Sequence, residues 1–187
     1  SLGVKIGETY TDYSQGSVRQ TGGTYDLALS GSGFFTVSVT DKAGEVHTRY
    51  TRDGRFHLTK DGLLVDADGN AVQGQNGNIT IDPSSKNVSI SATGQITADG
   101  ELVDTLNIVD FEDYDYLKKY GDTMYEPVDG ATTKDAEGEI LQGYTEQSNV
   151  NVVREMVDMI TITRAYEASQ KVIRSYDSML DKSVNQV

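Results

Sequence analysis

The C-terminal segment constrains the fold most, because residues 148–187 contain neither Gly nor Pro. The 19 Gly and 2 Pro of this 187-residue chain all lie before it. Gly and Pro break helices and form turns. The sequence therefore predicts one long helix at the C-terminal end and a turn-rich body before it.

Apolar side chains in this final segment recur at steps of three and four residues, the spacing of one face of a helix or of a coiled-coil strand. The stripe continues to Val184 and Val187, and Asn149 or Asn151 is placed to cap the helix. We expect the stripe to form an assembly interface through Val152, Met156, Ile160, Tyr166, Ile173, Tyr176 and Leu180.

The length of this helix bears on its role. From Asn151 to Val187 it would extend about 55 Å at about 1.5 Å per residue. Two interpretations remain open, a helix folded back on the body and a helix that packs against other chains. The length favours packing against other chains.

Charge divides the chain in the same way as Gly content. The net charge is −13, yet residues 151–187 hold five basic and five acidic side chains, so the whole excess lies in residues 1–150. A nucleic-acid-binding protein would show the opposite sign. The chain has no Cys, which excludes disulfides and Cys-ligated zinc, and no apolar run of membrane-spanning length. We expect neither nucleic acid nor membrane insertion.

The body shows the alternation of β-strands. Phe35, Val37 and Val39 alternate with polar residues, which predicts a half-buried strand. Asp-Gly pairs at 53–54, 61–62 and 68–69 separate short apolar runs and predict a meander of hairpins. Further short strands are expected at Val4 and Ile6, at Ile79 and Ile81, and from Val88 to Phe111. The pattern over residues 112–121 favours a short helical turn, and that over residues 125–143 favours a loop.

The fold class is therefore mainly β, an irregular antiparallel β body of many short hairpins followed by one long C-terminal α-helix. We expect an extended connector over residues 1–24, the β-rich body over 25–147 and an assembly helix over 148–187.

The sequence shows only weak signals for catalysis or metal binding. The segment starting at Asp66 has some letters of a calcium loop but not the required Gly and Glu spacing, so a plain hairpin turn is favoured. His47 and His57 are the only histidines, and neither a G-x-S-x-G elbow nor a P-loop is present. We expect no enzyme, catalytic residue, metal ligand, cofactor or small-molecule substrate. A hydrolase would need a cleft that holds a histidine beside a nucleophile.

Four motifs, in the same order along the chain, resemble the flagellar rod/hook family of axial proteins. They are YDLALSGSGFFTV (25–37), YTRDGRF (50–56), DGLLVDADGNAVQG (61–74) and GYTEQSNVNVVREMVDMITITRAYEASQKVI (143–173). The resemblance is strongest to basal-body rod proteins, of either the distal-rod or the proximal-rod type.

This resemblance implies a structural subunit that polymerises with itself and with other rod and hook proteins into the axial drive shaft. It implies a location in the basal body, reached through the flagellar type III export apparatus, and terminal helices that form a coiled-coil inner layer. The family also has an N-terminal helix that is not found before Val4. Either the sequence is truncated or the protein is atypical.

An alternative function of a different class remains, a secreted β-rich module that binds a glycan or a host surface and carries an oligomerising helix. Low aromatic content and the absence of Trp weigh against a sugar-binding platform.

Overall fold

The computed structural model describes residues 11–185, and side chains as far as Asp181. The strand predicted at Val4 and Ile6 lies outside the described residues, as does Val187, and the side chain of Val184 is not described. The chain divides into two compact units, one ending at Asn149 and one beginning at Val150.

The first unit consists of short strands, and the second is a helix. The described residues form these strands: β1 (Val18–Gln20), β2 (Leu27–Ser30), β3 (Phe34–Thr40), β4 (Val46–Thr51), β5 (His57–Leu58), β6 (Leu64–Val65), β7 (Ala71–Gly74), β8 (Gly77–Asn78), β9 (Val88–Ile90), β10 (Gln95–Ala98), β11 (Glu101–Thr105), β12 (Ile108–Phe111), β13 (Leu117–Tyr120), β14 (Met124–Pro127), β15 (Thr133–Asp135), β16 (Glu139–Gln142) and β17 (Tyr144–Glu146). The helix α1 spans Val152–Asn185. The predicted fold class is confirmed.

The strands pair antiparallel throughout the described body. The largest sheet has the order β13-β14-β4-β3-β7-β6-β5, with β12, β15 and β8 attached at its side. A three-stranded sheet, β11-β10-β9, and two strand pairs, β16-β2 and β1-β17, complete the described body. The β1-β17 pair joins the N-terminal segment to the strand that precedes α1.

The central strand β3 is buried on both faces, so the prediction of a half-buried strand is wrong for its first five residues. Phe35 and Val37 lie in the main core, whereas Phe34 lies in a second cluster with Phe111 and Leu117. Tyrosines cover that second cluster, and Tyr13, Tyr50, Tyr114 and Tyr125 pack against it. Alternation along one strand does not reveal a cover assembled from distant residues.

Two of the three Asp-Gly pairs in the predicted meander form hairpins. The pairs at 61–62 and 68–69 connect β5 to β6 and β6 to β7. The pair at 53–54 does not connect paired strands, which corrects the prediction. Gly54 is needed for close approach instead, since its carbonyl accepts from the Leu27 N–H at 2.9 Å and a Cβ there would collide with the Leu27 carbonyl oxygen.

Further along the chain, two predictions need correction and one is confirmed. Ile79 and Ile81 are fully buried but lie between strands, where the Ile79 N–H donates to the Val72 carbonyl and the Ile81 N–H donates to the Gly62 carbonyl. The short helical turn predicted within residues 112–121 is present as a 3₁₀ turn, Tyr114–Tyr116, and is followed by β13. Residues 125–143 form most of β14 and all of β15 and β16 instead of a loop. The polar strand β15 pairs with β12 through backbone bonds that need no apolar pattern.

Candidate assembly surface on the C-terminal helix

The start of α1 is set by Asn151. Its side-chain Oδ1 accepts from the Arg154 N–H at 3.2 Å, and its carbonyl accepts from the Glu155 N–H at 3.0 Å. The carboxylate of Glu155 lies in the first turn, where the helix dipole favours negative charge. Of the two predicted caps, Asn151 is therefore the cap.

The helix then runs for 34 residues, about 50 Å at about 1.5 Å per residue. All described side chains from residue 151 to residue 181 are exposed. The seven residues predicted to form the assembly interface are 52–64% exposed. Exposed apolar surface of this extent is typical of proteins that bind a partner.

Three hydroxyl groups on the helix donate hydrogen bonds to backbone carbonyls of the same helix. Thr161, Thr163 and Ser169 each donate to the carbonyl four residues earlier, at 2.8–2.9 Å. Burial of these hydroxyls against another helix would thus leave no unpaired donor, and an unpaired buried donor costs about 1–3 kcal/mol. The polar positions within the apolar pattern do not oppose packing.

The alignment of the seven predicted residues depends on how the helix is wound. At about 100° per residue, as in a straight helix, Val152, Met156 and Ile160 lie in one sector. The other four, Tyr166, Ile173, Tyr176 and Leu180, lie beside that sector, and the seven together span about 200° around the axis. On a straight helix they therefore form a broad arc rather than a narrow line, since small departures from the helical period accumulate over about nine turns.

A left-handed supercoil changes this alignment. At about 3.5 residues per turn, Val152, Tyr166, Ile173 and Leu180 return to the same line, because they are separated by multiples of seven. Met159 joins them on that line. The role of the seven residues in assembly stays a prediction.

The strand that leads to the helix is held by Arg52. Its Nε donates to Glu146 Oε2 at 3.0 Å, and its two terminal nitrogens donate to the carbonyls of Gly33 and Gly31, both at 3.0 Å. Arg52 and Glu146 are mostly buried, with side chains 16% and 10% exposed. Arg52 thus ties β17 to the start of β3.

The N-terminal segment is tied to the same place. The Gly16 N–H donates to Glu146 Oε1 at 2.8 Å, and β1 pairs with β17 along Val18–Glu146 to Gln20–Tyr144. Asn149, the other predicted cap, donates from Nδ2 to the carbonyl oxygens of Asp12 and Ser14, both at 3.1 Å. The described part of the predicted connector is therefore bonded at several points to the segment before α1.

The part played by Arg52 is not evident from the sequence. The Asp53-Gly54 pair that follows it favours a turn, and Asp53 does accept from the Arg55 side chain at 2.6 Å. Arg52 and Glu146 are 94 residues apart, and neither stands in a motif that pairs them. The sequence signal for this pair is that a basic residue, Arg52, and an acidic residue, Glu146, each lie in a strand-like segment.

Asp110 is a fully buried carboxylate beside the second cluster. Burial raises the pKa of Asp110, but hydrogen bonds from Tyr114, Ser32 and the Phe111 N–H, with Lys134, outweigh it and leave the pKa below its usual value. Tyr114 donates to Asp110 Oδ1 at 2.7 Å, and Lys134 Nζ lies 3.2 Å from Oδ2. Burial and then this contact raise the pKa of Tyr114 to about 12. These contacts hold Tyr114 and Lys134 to Asp110 beside the second cluster.

The remaining candidates for chemistry are a buried carboxylate in a turn and groups on the surface. Asp66 accepts from the backbone N–H groups of Asp68 and Asn70, as a hairpin turn requires. Among the described residues, Asp41, Glu45 and His47 place ligand atoms within 4.8 Å of one another. His47 Nε2 lies 3.4 Å from Asp41 Oδ2, and His57 is exposed in β5. Exposed groups of this kind are common on proteins that bind no metal.

Within the described residues, no helix combines the length and the hydropathy that crossing a bilayer requires.

Two family models match the chain. Residues 28–98 match the D1 domain of the flagellar hook protein FlgE/F/G family. Residues 141–187 match the C-terminal region of the flagellar basal body rod FlgEFG proteins. The first match covers much of the β body, and the second covers β17 and α1.

Curated relatives cover almost the whole chain. It is 36% identical to the basal-body rod protein FlgG of Buchnera aphidicola subsp. Schizaphis graminum over 193 positions, 96% of this chain and 72% of the relative. It is 32% identical to FlgG of Bacillus subtilis, over 98% of this chain and 73% of the relative. It is 37% identical to FlgF of Caulobacter vibrioides, over 87% of this chain and 65% of the relative. The chain belongs to the family of flagellar basal-body rod proteins.

Proposed function

We propose that this protein is a structural subunit of the flagellar basal-body rod, and that α1 is the element through which it polymerises. The observation that carries the proposal is the 34-residue helix with large apolar side chains exposed along its length, in a chain of the rod family. Its location is the basal body, and its partners are further copies and other rod and hook proteins. The shaft they build transmits torque to the hook.

Burial of apolar surface supplies the driving force. A large apolar side chain moved from water into an interface contributes about 1.5–3 kcal/mol. Association itself costs on the order of 4–15 kcal/mol, so several such side chains must be buried together before a contact is stable. Residues 151–187 carry no net charge, so two such helices can pack closely without net repulsion. The acidic bodies carry the whole net charge of −13 and repel one another.

The proposal also covers the domain organisation of the chain and its export from the cell. We infer a connector over 1–24, a body over 25–147 and an assembly segment over 148–187, with α1 packed as part of a coiled coil. We also infer delivery by the flagellar type III export apparatus. No catalytic role, cofactor, small-molecule substrate, nucleic acid or membrane insertion is part of the proposal. The relatives compared above are rod proteins, and they give no support to a glycan-binding module.

A charge placed at the middle of the helix tests the proposal. The double variant Ile160→Asp with Ile173→Asp is introduced into a host that lacks its own copy of the gene. Both side chains are exposed, at 52% and 60%, so the body should fold normally. Rod assembly should fail because a carboxylate cannot be buried without a partner. Motility on soft agar should be abolished.

The matched control is Arg154→Gln with Arg174→Gln, which changes two exposed polar side chains of the same helix. This control should swim normally. Normal swimming of the Ile160→Asp, Ile173→Asp variant would contradict the proposed role of the helix.

A further inference from the structure

Residues 12–17, which precede β1, form a strap that lies against the body. No residue from position 11 to position 20 is buried, whereas the two core clusters consist of buried residues of the body. Tyr13 makes the apolar contact of the strap, since it packs against the second cluster from outside. The core of the body is therefore assembled without the strap.

The side chain of Tyr13 fills an aromatic slot on the body. Its ring centroid lies 5.0 Å from that of Tyr114 and 5.3 Å from that of Tyr125. Phe34 meets the ring edge-on, with the centroids 6.5 Å apart and the planes at 82°. The Tyr13 hydroxyl donates to the Leu117 carbonyl at 3.3 Å. One side chain thus supplies the apolar hold of the strap on the body.

Gln15 supplies a polar hold on the body. Its Nε2 donates to the Leu29 carbonyl at 2.8 Å, and its Oε1 accepts from the Gly31 N–H at 3.1 Å. The side-chain amide bonds the end of β2 with one donor and one acceptor, as the backbone of a neighbouring strand would. Because Gln15 is exposed, water can replace both bonds when the strap leaves, so their net contribution is small.

The strap also bonds residues 147–149, which lead into α1. The Ser17 carbonyl accepts from the Gln147 N–H at 2.8 Å, and the Ser17 hydroxyl donates to Gln147 Oε1 at 3.2 Å. The amide of Asn149 bonds two further carbonyls of the strap, both at 3.1 Å. Gly16 is packed so closely here that a Cβ would collide with the Gln147 carbonyl oxygen. The strap therefore contacts the body and the segment before α1 together.

The carboxylate of Glu146 keeps these two attachments separate. Its Oε1 accepts from the Gly16 N–H of the strap at 2.8 Å, and its Oε2 accepts from Arg52 at 3.0 Å. Departure of the strap would expose Oε1 to water but leave Arg52 in place, so the mostly buried carboxylate would keep its cation. Strand β17 can thus stay on the body when the strap leaves.

We propose that residues 12–17 form a releasable strap, which undocks as one unit while the body stays folded. When docked, the strap closes the aromatic slot and bonds residues 147–149. When undocked, it opens the slot and removes those bonds, so order in the N-terminal segment is coupled to order in the segment before α1. Segments held by few apolar contacts and by exposed hydrogen bonds open locally in this way. The strap acts within a single molecule, so its behaviour is independent of the proposed function.

Residue-resolved amide hydrogen exchange, measured by NMR on the full chain, tests the proposal. The Gly31 N–H reports on the body side of the strap, because its acceptor is Gln15. The Gln147 N–H reports on the other side, because its acceptor is Ser17. The Leu27 N–H, which bonds within the body, is the reference. In the wild type the two reporters should have similar protection factors, at least about tenfold lower than that of the reference.

Two variants each disturb one side of the strap while the opposite side is measured. Tyr13→Ala empties the aromatic slot and should lower the protection of the Gln147 amide by about tenfold or more, because the ring contacts are lost. Gly16→Ala places a Cβ against the Gln147 carbonyl oxygen and should lower the protection of the Gly31 amide to a similar extent. In both variants the Leu27 amide should lose less protection than the reporter, because the body stays folded.

Two controls match the Tyr13 variant. Tyr116→Ala removes a tyrosine that is 42% exposed in the 3₁₀ turn, and it should leave both reporters unchanged. Tyr13→Phe keeps the ring in the slot and loses the hydroxyl contact, so the strap should stay docked.

The proposal is overturned if the wild-type reporters are as protected as the Leu27 amide, because the strap would then open only with the whole body. It is also overturned if either variant leaves the opposite reporter unchanged, since the strap would not move as one unit. A loss of protection at Leu27 as large as that at the reporter would show that the strap is an integral part of the folded body, and this result overturns the proposal as well.

Discussion

The body and the helix use the same kinds of apolar residue in opposite ways. In the body, Phe35, Val37 and Leu64 are fully buried, enclosed by sheets of their own chain. On the helix, Ile160, Ile173 and Leu180 are 52–62% exposed. The body's apolar side chains stabilise a single molecule. Those of the helix stay in contact with water and contribute little to the stability of the single molecule.

Magnitudes indicate what the helix could contribute to an interface. Five large apolar side chains, at about 1.5–3 kcal/mol each, amount to roughly 7–15 kcal/mol when buried. That range overlaps the association cost of about 4–15 kcal/mol, so burial of only one or two of them would not hold a neighbour.

The largest effect is expected from truncation in the body. Phe35→Ala should lower the free energy of unfolding by about 3–5 kcal/mol, because it leaves a cavity in the main core. Ile160→Ala should change the unfolding of the body by less than about 0.5 kcal/mol, because the side chain is exposed on α1. Urea unfolding followed by tyrosine fluorescence compares the two. Equal losses would remove the distinction between body and helix.

The next largest effect concerns the Arg52–Glu146 pair. Arg52→Met should cost about 3 kcal/mol, because it leaves the mostly buried Glu146 without its cation. The matched control is Arg55→Gln, whose pair with Asp53 involves an Arg side chain 63% exposed and should cost less than about 1 kcal/mol. Urea midpoints measure both. A loss at Arg52 no larger than that at Arg55 would show that the pair contributes little.

A smaller effect, dependent on pH, is expected at Asp110. Tyr114→Phe should cost about 1.5–3 kcal/mol at neutral pH, because it removes a hydrogen bond to a buried charge. The pKa of Asp110 is lowered in the folded protein, so the stability that its ionised form contributes is present above its unfolded pKa. That stability is lost as pH falls through the folded pKa.

The difference in urea midpoint between wild type and Tyr114→Phe should therefore narrow as the pH is lowered from neutral through the range in which carboxyl groups titrate. A difference that stays constant over this range would contradict an ionised Asp110 in the folded body.

The smallest effect belongs to the helix cap. Asn151→Ala should cost about 1 kcal/mol of local helix stability, because the Arg154 N–H loses its acceptor. Helicity measured by far-ultraviolet circular dichroism should fall slightly while the thermal unfolding of the body is unchanged. Asn149→Ala is the control, since its amide bonds Asp12 and Ser14 and does not cap α1. A larger loss of helicity in Asn149→Ala would reverse the assignment of the cap.

Local patterns in the sequence predicted the fold class and the long helix. The Asp-Gly pairs at 61–62 and 68–69 and the apolar Phe35 and Val37 carry their information within a few residues. Strand β15 could not be predicted in this way because backbone pairing with β12, rather than an apolar pattern, defines it. The prediction at Asp53-Gly54 failed because Leu27, far away in sequence, uses the Gly54 carbonyl.

The same limit applies to the candidate surface. Steps of three and four residues identify the apolar residue types on α1, but each step is local. How far apart the apolar residues of its two halves lie around the axis depends on the summed rotation along α1, which requires one continuous helix. Arg52 could not be assigned because its partners Gly31, Gly33 and Glu146 are brought to it by the sheet order.

The pairing of β1 with β17 also decides how the body responds to mechanical load. The strands are antiparallel, so the chain segments before Val18 and after Glu146 leave the pair at the same end. A force that separates those two segments breaks their contacts one after another, from the Asn149 bonds to Asp12 and Ser14 inward to the Val18–Glu146 rung, instead of shearing them together. The Arg52 guanidinium binds Glu146 at that rung, so once the outer bonds are broken the load falls on a charged contact anchored to the central sheet.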